Sequence, residues 1–215
     1  ISQFAYEQSK LHLKLDNKPF SVIHNGCNIP DIRDINEPAH LLKKPFLFSI
    51  GQLHSRKNFH VLPPLLKGNE DELIIAGIND TLYAKKVMDE ARRHNVEKRV
   101  RLIGTITENE KHWYFKNCKA FVFPSIGEGF GLPVIEAMYF GKPVFLSTHT
   151  SLPEVGGDAA YYFNDFSPES MQCVFEKGMN DFTNNDRTQT VKQKADLFDW
   201  NKNAKEYLEV YRNLF

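Results

Sequence analysis

Apolar positions along the chain fall into short, nearly continuous runs at 46–50, 73–76, 100–103, 120–123, 144–147 and 160–163. Each is of strand length and almost wholly apolar, the pattern of strands buried on both faces of a parallel sheet. Between and after the runs lie amphipathic stretches at 80–94, 108–118, 133–140, 168–180, 189–198 and 201–214, which predict helices. Strand and helix alternating about five times predict an α/β fold with a Rossmann-like, doubly wound parallel sheet. Several runs end in turn residues: Gly51, Gly77, Gly104 and Pro124-Ser125. Ligands of such sheets bind beyond the carboxyl ends of the strands, so these turns are where chemistry is expected.

Residues 1–40 depart from this rhythm. A helix-like stretch at 2–15 and a strand-like 21–24 lead into the turn signal Asn25-Gly26 and a polar segment running to Pro45. There is no initiator Met, and the first residues lack the apolar stretch of a signal peptide. The N-terminus therefore reads as cut from something longer.

Composition narrows the classes. The 215 residues, 41% of them hydrophobic, suffice for one sizeable core. With 27 basic and 27 acidic residues, no global field points to nucleic acid or to an anionic membrane. The three cysteines are scattered, with no C-x-x-C pair, which argues against a disulfide framework or a zinc site and fits a reducing cytoplasm. No apolar run approaches the roughly 18 residues of a spanning helix.

The segment from Pro124 to Met138, PSIGEGFGLPVIEAM, follows one run and opens a helix near Pro133, a residue suited to a first helical turn. Gly127, Gly129 and Gly131 allow close backbone approach and positive φ. The helix start offers free N–H groups and a partial positive charge, a ready anion site. Glu128 in the loop and Glu136 in the helix form an E-x7-E pair. Carboxylates are poor phosphate ligands but good acceptors from sugar hydroxyls. Anion site and acids together suit a ligand that is part anion and part polyol, such as a nucleotide sugar. After the first run, Arg56 and Lys57 bring two cations able to neutralise a diphosphate. No D-x-D and no His/carboxylate ligand spacing is present, so no metal is expected. The G-x-G-x-G spacing is not the dinucleotide fingerprint, and Gly141-Lys142-Pro143 precedes a strand rather than forming a P-loop.

The ordered set Ile23-His24-Asn25-Gly26, Gly51 to Asn58, 73–77, 100–104, Phe123-Pro124-Ser125, Glu128 to Met138, Gly141 to Val144, Leu152 to Val155 and Trp200 resembles family 4 of the GT-B glycosyltransferases over about residues 22 to 210. The resemblance implies the C-terminal half of a GT-B enzyme: residues 41–215 as the nucleotide-sugar donor-binding domain, and 1–40 as the tail of a missing N-terminal acceptor domain plus linker. It implies retaining hexosyl transfer from a nucleotide-diphosphate sugar to a glycan or lipid-linked acceptor, without metal or other cofactor. It also implies a cytoplasmic location, with peripheral membrane association of the full-length enzyme, and no activity of this half alone.

The resemblance carries residue roles as well. Lys57, with Arg56, would hold the diphosphate and stabilise its departure, with Gly51 beside them. Glu136 would accept from the ribose hydroxyls, and Glu128 from the transferred sugar. The N–H groups of Phe130, Gly131 and Leu132, next to Gly129, would face sugar or phosphate, and the turn from Gly104 to Ile106 would lie by the base. Many relatives have Arg where this chain has Gln52, which leaves open whether Arg56 substitutes. Glu154 reads as a structural hydrogen-bond partner, His54 as a plain loop residue and Trp200 as packing. Two other classes stay open on the same residues: a module that binds nucleotide or sugar without transfer, and a nucleotide-sugar epimerase or phosphorylase on the same fold.

Overall fold

A computed structural model describes residues 1–13, 20–27, 35, 38, 44–78 and 81–213. Most of the expected linker lies outside the described residues. So do the last two positions of the expected 2–15 helix, the first of 80–94 and the last of 201–214.

Six parallel strands form one sheet in the order β3-β2-β1-β4-β5-β6. They are β1 Phe46–Ile50, β2 Glu72–Ala76, β3 Val100–Gly104, β4 Ala120–Phe123, β5 Val144–Ser147 and β6 Tyr161–Phe163. Every residue of β2, β4 and β5 is buried, which is why the sheet reads in sequence as unbroken apolar runs. Helices α2 Thr81–Arg93, α3 Glu108–Asn117, α4 Leu132–Tyr139, the short α5 Leu152–Gly156 and α6 Pro168–Asn184 follow strands β2 to β6 in turn. α7 Thr188–Ala195 and α8 Trp200–Arg212 close the described chain, and α1 Gln3–Leu13 opens it. The doubly wound fold expected from the sequence is the fold observed.

Local chemistry explains the elements that frame the site. α2 buries Tyr83, Val87 and Ala91, a stripe at four-residue spacing. α3 starts in a capping box, Thr107 and Glu110 each bonding the other's backbone N–H. α4 packs against the sheet on one side and α7 on the other and is apolar nearly all round; Glu136 is its one carboxylate. The β1–β2 crossover runs through three 3₁₀ turns, the last of them begun by Pro63-Pro64.

The expected strand at 21–24 is not formed. The end of the segment bonds to the C-terminal elements instead: the Asn203 side-chain amide donates to His24 O at 2.7 Å, and just beyond it Cys27 N–H donates to Phe198 O at 2.8 Å.

Candidate functional site

The strand order reverses between β1 and β4, whose neighbours in the sheet run outward to opposite edges. This is the topological switch point, where diverging crossovers leave a crevice at the carboxyl ends of the strands. Both motifs singled out in the sequence sit there: 51–58 leaves β1, and 124–131 leaves β4.

The loop after β1 is shaped by a 3₁₀ turn, Ser55–Lys57, in which the His54 side chain accepts from Arg56 N–H and Asn58 takes a left-handed conformation. His54 is therefore a cap. The turn aims Lys57 inward, with its Nζ 2.6 Å from Glu128 Oε1 and 5.0 Å from the centroid of the Phe123 ring. Gly51 makes room for this side chain, since a Cβ there would lie 3.1 Å from Lys57 Cε. Arg56 is exposed. Its carbonyl accepts from Ile126 N–H and Ser125 Oγ, its side chain lies against Gly127, and it makes no ion pair among the described residues.

The loop after β4 is held by hydroxyls bonded to its carbonyls. Ser147 Oγ donates to Ser125 O, Ser2 Oγ to Gly129 O at 2.9 Å, and Ser151 Oγ to Phe130 O at 2.8 Å. The Glu128 N–H donates to Thr150 Oγ1 at 3.1 Å. Gly131 precedes α4 with φ +110°, and no side chain caps the helix. Of the three loop glycines only Gly131 has positive φ; Gly127 faces Arg56, and Gly129 has only the Ile1 side chain near it. The N–H groups at Phe130, Gly131 and Leu132 thus belong to a helix start with no side-chain cap. The Phe130 ring is buried and stacks on His24, with centroids 5.7 Å apart.

Glu136 projects one helical turn further along into a cleft of about 280 Å³, lined also by Gly26, Leu132, Lys111, His112 and Trp200. Its Oε1 accepts from Lys111 Nζ at 2.6 Å, and the same ammonium lies 2.7 Å from Glu108 Oε2. Burial pushes the Glu136 carboxyl above its ordinary range, and Lys111 works against that rise. Burial pulls the Lys111 ammonium down, but Glu136 and Glu108 outweigh it and leave the pKa raised.

Ligand atoms of Glu108, His112 and Glu136 lie within 4.8 Å of one another. Contrary to the expectation from sequence, Glu108 and His112 stand at i, i+4 on α3, a His/carboxylate spacing, and the packing of α3 against α4 adds Glu136 to form a cluster. Lys111 already places a fixed cation between its two carboxylates.

Gly104 ends β3 with φ +73°, and its carbonyl accepts from Gly77 N–H at 2.7 Å. Ile106 follows in the loop to α3 and packs partly against the core. These two sit on the far side of β2 from the switch point. Glu154, expected as a structural partner, accepts from the N–H groups of Gln3 at 2.8 Å and Phe4 at 3.3 Å and from His24 Nε2 at 2.7 Å. It thereby seats the start of α1 beside the glycine loop. Trp200 packs over Gly26, where a Cβ would lie 2.5 Å from the indole. Lys111, His112, Thr150 and Ser151 are site residues that the sequence motifs do not single out. Their signal is positional only, one helix turn or one loop away from the E-x7-E segment in space.

The family model for glycosyl transferases group 1 matches residues 31–196. The chain belongs to this family. Among the relatives of this group 1 domain is the serotype-specific mannosyltransferase WbdA of Escherichia coli, 29% identical over 207 residues that cover 91% of the chain and 24% of the relative. The O-antigen chain mannosyltransferase B of Escherichia coli is 28% identical over 176 residues, 77% of the chain and 45% of the relative. The chain thus spans less than half the length of these relatives. The crystal structure of a glycosyltransferase from Rickettsia africae ESF-5 superposes with a TM-score of 0.82 at 16% identity, covering 99% of the chain and 62% of that structure, a likeness of fold.

Proposed function

We propose that this chain is the donor-binding half of a retaining, metal-independent hexosyltransferase, which takes a nucleotide-diphosphate sugar and glycosylates a glycan or lipid-linked acceptor held by an N-terminal half. The observation that carries the proposal is the ion pair of Lys57 with Glu128 at the switch point, beside the helix start that no side chain caps. A diphosphate entering the crevice takes a share of the Lys57 charge and meets the N–H groups heading α4. Glu128, released from sole pairing with Lys57, accepts from a hydroxyl of the transferred sugar, and Glu136 accepts from the ribose hydroxyls. Arg56, exposed at the mouth, adds a second cation. The mannosyltransferase names of the relatives make mannose the first sugar to test.

In the proposed reaction the acceptor oxygen attacks the anomeric carbon on the face from which the diphosphate departs. The bond from sugar to diphosphate oxygen breaks, the glycosidic bond forms, and the acceptor proton passes to the leaving diphosphate. Lys57 and the α4 N–H groups stabilise the charge that grows on that leaving group. A lipid-linked acceptor would bring the complete enzyme to a cytoplasmic membrane face; among the described residues no helix is long and apolar enough to cross a membrane.

Nucleoside diphosphate binding is expected to survive chelation, because Lys57 and Arg56 supply the cationic charge. Calorimetric titration of UDP, GDP and ADP with and without EDTA checks this. Binding lost in EDTA and restored by Mg²⁺ or Mn²⁺ would overturn metal independence and point to Glu108, His112 and Glu136 as the metal ligands.

A further inference from the structure

We propose that Lys111 is a positioning residue for the donor site: its ammonium, held between Glu108 and Glu136, keeps the Glu136 carboxylate anionic and aimed at the nucleoside hydroxyls. The inference rests on the reading of Glu136 as the acceptor for those hydroxyls.

The geometry is specific. Lys111 and Glu136 are both largely buried, with side chains 14% and 17% exposed, whereas Glu108 is 77% exposed. The buried partner of the ammonium is therefore the site glutamate, and the outer one is a solvated carboxylate. Lys111 bonds Glu136 at Oε1 alone. Glu136 lines the same cleft as Leu132 and Trp200, and its other oxygen takes no bond from Lys111. An unpaired carboxylate on a helix as apolar as α4 tends to take up a proton rather than remain charged. A neutral carboxyl accepts weakly from two hydroxyls, so the ribose contact depends on the lysine behind it.

The groups facing Glu136 are Lys111, Glu108 and His112 from α3 and Cys27, which directly follows Gly26. Burial pushes the Cys27 thiol up to about 12 and holds His112 below its ordinary value, so both are neutral at and above neutral pH. Without Lys111 the carboxyl of Glu136 rises further. The deficit in such a variant is therefore largest at low pH and shrinks as pH climbs through the new Glu136 value.

The test is titration of the 215-residue chain with UDP, GDP and ADP in EDTA from about pH 6 to about pH 9, for wild type, Lys111→Met, Lys111→Arg and Glu136→Gln, with thermal unfolding of each variant. Lys111→Met is expected to lose on the order of ten- to a hundred-fold in affinity near neutrality. It should recover much of that at the alkaline end, while Lys111→Arg stays near wild type and Glu136→Gln is weak at every pH. A folded Lys111→Met with wild-type affinity throughout, or a pH-independent loss that Lys111→Arg shares, overturns the role of Lys111 and leaves the donor site standing. Should Lys111→Met fail to fold, Lys111→Arg decides: near wild-type affinity supports the role, and a pH-independent loss overturns it. A wild-type chain that binds none of the three nucleotides overturns both readings.

Discussion

Lys57→Ala is expected to reduce kcat of the complete enzyme by roughly a hundred- to a thousand-fold, the range for losing one preorganised donor to developing transition-state charge. The effect on affinity for free nucleoside diphosphate is smaller, on the order of ten-fold or more, because the ground-state diphosphate still meets the head of α4. The pairing with Glu128 adds a second signature. The Lys57 ammonium lies 2.6 Å from that carboxylate, and an incoming diphosphate must compete for it. Glu128→Gln is therefore expected to leave free nucleoside diphosphate binding undiminished or tighter, and to weaken binding of the intact nucleotide sugar, whose hydroxyl it no longer receives as an anion. Steady-state kinetics of the full-length enzyme and titration of both ligands check the pair. Equal losses for both ligands in Glu128→Gln would mean that the carboxylate serves the nucleotide rather than the sugar.

Gly77→Ala is expected to destabilise the fold by roughly 3–5 kcal/mol, among the largest effects open to a single added methyl group. The position has φ +139°, and a Cβ there would lie 1.9 Å from Gly51 O and 2.6 Å from Gly51 C. Both are backbone atoms, so no side chain can swing away. Gly51 N–H in turn donates to Ala76 O at 2.9 Å, which ties the turn beneath Lys57 to the end of β2. Gly104→Ala is the control, with φ +73° and no heavy atom within 4 Å of the place its Cβ would take. It is expected to cost only about 1–2 kcal/mol, the left-handed penalty alone. Urea unfolding of both variants separates crowding from backbone strain; equal losses would show that the approach of the two turns is not what requires glycine.

The sheet was legible because burial on both faces writes each strand as an apolar run. β1, β4 and β5 have the bounds the runs predict. β2 starts one residue earlier, at a buried Glu72 that Arg101 bonds at 3.0 Å, and a charged residue hides a strand start from a hydrophobic pattern. α6 continues to Asn184 through a polar last turn in which helical periodicity fades. α5 is a single turn opened by a proline, too short to show a period. The strand expected at 21–24 is not formed, and the end of that segment is tied to the far end of the chain instead: Asn203 bonds the His24 carbonyl, and Phe198 accepts from Cys27 just beyond it.

The site divides along the same line. E-x7-E and the Arg-Lys pair are local spacings and could be read. Their couplings are not local: Lys57 meets Glu128 across 71 positions, and Lys111 meets Glu136 across 25. Lys111 is one of several charges on α3, and only the packing of α3 against α4 gives it a buried partner. The same packing brings Glu136 to Glu108 and His112, which the i, i+4 spacing on α3 already places on one face. Arg56 was legible as a cation at the mouth of the crevice but not as a residue whose carbonyl anchors the glycine loop.

The proposed function stands or falls on the crevice between β1 and β4 holding a nucleotide through Glu136. Calorimetric titration of wild type and Glu136→Ala with UDP, GDP and ADP tests it most directly. Saturable one-site binding of at least one nucleotide by wild type is predicted, weakened on the order of ten- to a hundred-fold in the variant by loss of a charged hydrogen bond. A wild-type chain that binds none of the three, or a folded Glu136→Ala that binds as tightly as wild type, would contradict it.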